Sequence, residues 1–159
     1  MDTKIMVLLV ALVAILVCGC SKQLKPDGFP PLYPVSITVI QDGKPLEGAL
    51  ISLHGTENSP LKWGVFGFAD RNGRAVLLTH GIHSGAPEGE YIVTVSKQEE
   101  VEISRRAEST VTEAFSFVEE QYVSKEKSPL RIHIQKKGKK HVEFDVGKPV
   151  RVSLGRTVA

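Results

Sequence analysis

Apolar and polar residues alternate with a period of two along most of this chain, the pattern of strands with one face turned to a core. Val35–Ile40 (VSITVI) places Val35, Ile37 and Val39 on one side. The Asp42-Gly43 pair behind it is a strong hairpin-turn signal. Gly48–His54 predicts a second strand with Ala49, Ile51 and Leu53 sharing a face. Trp63, Phe66 and Phe68, interleaved with Gly64 and Gly67, predict a core cap or a third strand. Asp70-Arg71-Asn72-Gly73 is a tight turn, followed by Arg74–Thr79, an apolar run of strand length. Gly81, Gly85, Pro87 and Gly89 then keep the backbone irregular until Tyr91–Val95, which is rich in β-branched and aromatic residues. These two runs, joined by a Gly/Pro-rich loop, form the expected centre of an all-β sandwich.

The pattern changes over Gln98–Lys127. Ile103, Ala107, Val111, Ala114, Phe115, Val118 and Tyr122 recur at spacings of three and four, which predicts a short helix lying across one sheet. The composition of STVTEAFSFV points the other way, towards a strand. Leu130–Gln135 and His141–Val146 alternate again, with Ile132 and Ile134 expected opposite Val142, Phe144 and Val146. Lys136-Lys137-Gly138-Lys139-Lys140 is expected to turn between them as a hairpin tip. Val150–Leu154 predicts an edge strand, and residues 148–159 as a whole read as a C-terminal tail.

The N-terminus follows a different rule. Ile5–Val17 is a continuous apolar run of 13 residues. A membrane span takes roughly 20, so this length fits the core of a signal peptide. Val17-Cys18-Gly19-Cys20 resembles the bacterial lipobox, with Gly19 favouring Cys20 over Cys18 as the lipidated residue. The alternatives are a plain secreted protein and an uncleaved anchor. Residues 1–19 are therefore assigned to the signal peptide and 20–34 to a lipidated cysteine with a Pro-rich tether. That tether reaches roughly 40 Å at about 3.1 Å per residue. Ser21, rather than an aspartate, resembles the signal that sorts lipoproteins to an outer membrane.

Composition narrows the function classes. With 42% hydrophobic and 24% charged residues, the 159-residue chain suits one globular domain. Its 20 basic and 18 acidic residues give +2, and no long basic run provides a nucleic-acid footprint. Cleavage before Cys20 removes one acid, Asp2, and one base, Lys4, so that balance stays. The two cysteines lie at the end of the apolar run and have no further thiol for a zinc or redox site.

Three stretches carry a family resemblance: GKPLEGALISLHG (Gly43–Gly55), ADRNGRAVL (Ala69–Leu77) and GAPEGEYIVTVSK (Gly85–Lys97). Together they resemble the carboxypeptidase-regulatory-like, transthyretin-like (prealbumin-like) domains familiar in small bacterial envelope lipoproteins. QYVSKEKSPLRIHIQKKGKKHVEFDV (Gln121–Val146) is similar to the ending of the same family. The likeness covers roughly Pro34–Gly147 and places the domain at 35–147. It implies a seven-stranded, Ig-like sandwich, often with a short helix beside one sheet, and no catalytic residues or cofactor.

Candidate chemistry is sparse. His80 and His83 could share a metal, with His54 approaching in space, but zinc takes three or four ligands and no HExxH is present. GIHSG has His where a nucleophile elbow has Ser, and Asp70–Gly73 lacks the rest of a calcium loop. Two candidate ligand surfaces remain. Trp63 could stack on a sugar, and Lys136, Lys137, Lys139 and Lys140 could meet an anionic polymer or headgroup. Both features also have plain roles, as core packing and as a solvated turn. The reading that results is a non-enzymatic lipoprotein of the envelope, outer membrane expected, bound to the membrane by its lipid. It would present loops or a sheet edge to an envelope protein, with polysaccharide as the alternative ligand.

Overall fold

A computed structural model describes residues 25–106 and 109–158. The apolar signal segment and Cys20 lie outside the described residues. The described chain is an all-β sandwich with a single one-turn helix, α1 (Glu120–Val123). α1 sits in the segment where a helix was expected and packs against one sheet.

The first sheet is centred on β1 (Val35–Gln41). Asp42 and Gly43, both at positive φ, turn β1 into the two-residue β2 (Lys44–Pro45). The run that follows β3 (Leu50–Gly55) and β4 (Val65–Phe68) is shared between the two sheets. Its first half, β5 (Arg74–Val76), pairs with β1, and its second half, β6 (Leu78–Thr79), pairs with β4. The short β7 (His83–Ser84) pairs back on β6, and β8 (Gly89–Ser96) forms the middle of the second sheet beside β3. β11 (Arg131–Ile134) closes that sheet on β8, while β12 (Lys140–Asp145) joins the first sheet parallel to β1. Seven strands of three or more residues build the two sheets: β1, β5 and β12 in one, β3, β4, β8 and β11 in the other.

The core is what the alternation demands. Val35, Ile37, Val39, Ala75, Leu77 and Val146 face Ile51, Leu53, Val65, Val93, Val95, Ile132 and Ile134, all buried. Each such aliphatic side chain contributes about 1.5–3 kcal/mol by leaving water. Among the described residues, Tyr91 is the one buried aromatic hydrophobic of this core, with Tyr33, Tyr122 and Phe144 packed half-buried at its margin. β4 turns Val65 and Gly67 inward, so Phe66 and Phe68 point away from the core and pack edge-to-face on each other at 6.4 Å. Phe68 is 64% exposed, so of the two expectations for this aromatic group the core cap fails at Phe68, while the strand forms as β4 over Phe66 and Phe68.

Three other expectations are overturned. The positions read as a helical face form a hairpin of β9 (Gln98–Arg106) and β10 (Ser109–Ser116), with Ala107 outside the described residues. The β-branched run of Thr110, Val111 and Thr112 suits a ladder, and its bulge blurs the period of two. Leu130–Gln135 and His141–Val146 do not make a hairpin. Their strands lie in different sheets, so the lysine loop crosses from one layer to the other. Beyond residue 147 the edge strand expected at Val150–Leu154 forms as β13 (Val152–Val158), but it runs on through the segment expected as a tail and pairs antiparallel with β10 in a third, three-stranded sheet. Gln41 ties that sheet to β1 by donating from Nε2 to the Phe117 carbonyl at 2.9 Å.

The turn at Asp70 shows how local chemistry holds the sandwich. The Asp70 Oδ1 accepts the Asn72 and Arg74 N–H groups at 2.8 and 3.0 Å. Gly73, at φ 71°, presents its carbonyl to the Val39 N–H at 2.8 Å. A Cβ on Gly73 would lie 2.4 Å from the Val39 oxygen, whereas one on Gly43 would meet nothing within 4 Å. Gly43→Ala therefore carries only the left-handed backbone cost, about 1 kcal/mol, while Gly73→Ala adds a collision with β1 and should cost about 3–4 kcal/mol. Urea unfolding of the two variants beside the wild type measures the difference.

Candidate functional site

The Gly/Pro-rich loop brings Trp63, His80 and His83 into one aromatic group. His80 and Gly81, both at positive φ, turn β6 into β7, and the His80 N–H donates to the Gly64 carbonyl at 2.8 Å beside Trp63. The His80 ring lies edge-on to Trp63 with centroids 5.2 Å apart. His83 is buried and packs instead on Phe29 at 4.7 Å, and Phe29 also leans on Trp63 at 5.6 Å. The two histidines are thus held by different rings. His54 lies elsewhere, accepting or donating through Nε2 to the Thr94 hydroxyl at 2.8 Å. Among the described residues, no three His, Cys, Asp or Glu side chains are grouped to hold a metal ion.

Phe29 was not a candidate, because residues 20–34 read as a tether. Its downstream part lies on the domain. Tyr33 and Ala86 exchange backbone hydrogen bonds at 2.9 and 3.0 Å, and a Cβ on Gly85 would strike the Tyr33 oxygen at 2.5 Å. The FPPLYP sequence supplies five apolar side chains besides Tyr33 and few donors, so it can dry a neighbouring loop. Within the group, Trp63 Nε1 and His83 Nε2 are buried without a hydrogen-bond partner.

Beside Trp63 opens a cavity of about 400 Å³, bordered by Asn58, Ser59, Lys62, Glu88 and Tyr91. The Tyr91 hydroxyl donates to the Glu88 and Pro87 carbonyls at 2.9 and 3.2 Å. Burial, then the Glu88 carboxylate, raises its pKa and keeps it a neutral donor. A second hollow of about 260 Å³ shares Pro30, Pro87 and Glu88 with the first and reaches Lys136. Lys136 pairs with Glu88 at 3.5 Å, both partners largely in water. Lys139 and Lys140 are turned to a different place, a hollow of about 220 Å³ beside Ser36, Arg74 and His141. The four lysines therefore do not form one surface, and Lys137 lines neither hollow.

Among the described residues, four of the seven exposed large apolar side chains lie on the third sheet. Val101 and Ile103 on β9, with Val152 and Leu154 on β13, are 36–52% exposed. Val152 and Leu154 also line a hollow of about 330 Å³ with Val118 and Val123, at the foot of this sheet. From β13 the Ser153 hydroxyl donates to Glu113 on β10 at 2.6 Å, and Arg156 pairs with the same carboxylate at 3.3 Å. The serine, then the arginine, hold the Glu113 carboxyl below its usual range. Arg151 stacks over Phe115 at 4.1 Å. Among the described residues, both outer strands, β9 and β13, pair only with β10.

No protein-family model, no curated protein and no solved structure matches this chain.

Two measurements test the geometry. Trp63 is the single tryptophan of the chain. Phe29→Ala should shift its fluorescence emission to the red and leave far-ultraviolet dichroism unchanged; unmoved emission would mean that Phe29 does not cover the ring. His54 has its pKa lowered by burial and then by Lys125, against a smaller opposing pull from Glu126. An unfolded histidine titrates near about 6.5. Its contribution to stability is therefore complete above about pH 6.5 and is lost as pH falls from there through the lower folded-state value. Denaturation at pH 7.5 and 5 should show a smaller acid loss in His54→Gln than in the wild type.

Proposed function

We propose that the chain is a non-enzymatic lipoprotein of the cell envelope, anchored through Cys20 and displaying a transthyretin-like sandwich to a protein partner. Two or more acyl chains on Cys20 would hold it firmly, since each buried methylene adds about 0.8 kcal/mol. Ser21 favours the outer membrane. The observation that carries the partner reading is the third sheet, whose outer strands among the described residues each pair on one side only and which exposes Val101, Ile103, Val152 and Leu154. An extended peptide from a partner could add to such an edge and seat its side chains against the valines and leucine.

A second reading is a carbohydrate or anionic-polymer module. The run of hollows from Trp63 past Pro30, Pro87 and Glu88 to Lys136 favours it, since an aromatic face and a cation along one groove suit an acidic glycan. Crosslinking in intact envelopes separates the two. The docking reading expects one dominant protein on the wild type and on a Trp63→Ala, Lys136→Gln variant, lost with Val152→Asp, Leu154→Asp. Glycan recovered from the wild type and lost only in the groove variant would replace it with the second reading.

A further inference from the structure

The outer face of the first sheet holds a cluster that the docking reading does not use. β1 and β12 run parallel with Ser36 beside His141, and β1 and β5 run antiparallel with Thr38 beside Arg74. Ser36 is buried between its two neighbours. It accepts from the Arg74 guanidinium at 3.2 Å and sits 2.9 Å from His141 Nδ1. Arginine can only donate, so the Ser36 proton is free to point at His141 Nδ1, which leaves Nε2–H as the outward donor of the ring. Lys139 and Lys140 border the same hollow of about 220 Å³.

Among the described residues, every polar side chain that borders this hollow and reaches solvent offers donors, and no carboxylate lines it. The nearby acids are engaged or set back. Asp70 spends Oδ1 on the backbone of its own turn, and Glu47 pairs with Arg71 at 3.8 Å. Glu143 stands on the same face in Arg74's own row, on the far side of Thr38, and does not border the hollow. Among the described residues, Lys139 and Lys140 have no ion-pair partner. A hollow ringed by an arginine, two lysines and an imidazole N–H repels cations. It also suits a compact multivalent anion better than a planar carboxylate, because its donors approach from three elements, β5, β12 and the lysine loop.

We propose that Arg74, Lys139, Lys140 and His141, with Ser36 orienting two of them, bind the phosphate group of a phosphomonoester. Arg74 supplies the directional contact, and the lysines supply charge. Ser36 acts as a positioning residue, holding the guanidinium and imidazole at a fixed spacing across the sheet. This site is independent of the third sheet and of the Trp63 groove.

The test uses the full chain in neutral detergent micelles, titrated with inorganic phosphate and followed by nitrogen-edited NMR of the His141 ring and the Arg74 side chain. Saturable shifts are expected. Arg74→Gln should weaken binding about tenfold or more, and Lys139→Gln with Lys140→Gln several-fold. Lys136→Gln with Lys137→Gln, on the same loop but outside the hollow, should change it by less than about twofold. Shifts that never saturate, or equal weakening by the two lysine pairs, would overturn the site in favour of diffuse screening. A parallel titration with micelles doped with phosphatidate identifies the source. Binding about tenfold tighter than to inorganic phosphate means a lipid headgroup, and equal binding means a soluble phosphate. Absence of both overturns the proposal.

Discussion

The run from Arg74 to Thr79 has to serve two sheets at once, and the sandwich depends on its doing so. Its first three residues hydrogen-bond to β1, and two residues later the backbone is paired with β4. At the crossing Leu77 is fully buried, its N–H donates to the Val35 carbonyl at 3.1 Å, and its carbonyl accepts from Gly85 at 2.8 Å. An extended chain that leaves one sheet must meet new partners at once, because a buried unpaired amide costs about as much as a lost hydrogen bond. Gly73 and Gly85 stand at either side of the crossing, each pressed on backbone where no Cβ fits. The loop chemistry at both ends is thus fixed by the strand between them, and the aromatic group on that loop inherits its position.

How much of this was legible in the sequence follows from the range of each interaction. Turns whose bonds close within five residues, at Asp42-Gly43 and Asp70–Gly73, were readable because the residues that need positive φ or cap the turn are adjacent. Strands with one dry face were readable for the same reason: Val35, Ile37 and Val39 declare their face without reference to anything distant. The hairpin of β9 and β10 was not. Its faces both meet solvent or partly buried neighbours, so no strict alternation is imposed, and residues at spacings of three and four fell into a helical pattern by accident. Pairing partners were likewise hidden. Leu130–Gln135 and His141–Val146 look like hairpin arms because a five-residue basic turn joins them, yet the buried faces of Ile132 and Val146 belong to opposite layers of the core.

The candidate sites divide along the same line. Trp63, His80 and His83 were noticed singly, and their association was foreshadowed only by the glycines that bend the chain between them. Phe29 gave no signal, since a lone aromatic among prolines reads as linker until the Tyr33–Ala86 bridge brings it back. Ser36, Arg74 and His141 were invisible as a group. They lie 38 and 105 residues apart in the contacts that join them, and only the register of β1 against its two neighbours makes them adjacent. Three polar residues on the wet face of three strands look like ordinary alternation until strand order is known.

Edges explain why the proposed partner is assigned to the third sheet. The sandwich protects its own margins: β2 and β7 have two residues each, β11 has four, and β12 exposes Lys140, His141, Glu143 and Asp145. Short or charged edges discourage pairing with another chain. The third sheet breaks that habit, with outer strands of nine and seven residues. Its two edges differ, however. β9 carries Glu99, Glu100 and Glu102, which set like charge against any acidic strand laid alongside. On β13 the stretch Val152-Ser153-Leu154-Gly155 has no charge, and Arg156 is already engaged with Glu113 on the neighbouring strand. An incoming strand therefore meets the least desolvation and the most apolar contact along β13, beside the hollow that Val152 and Leu154 border. On the proposed docking reading, β13 is the receptive edge and β9 the guarded one.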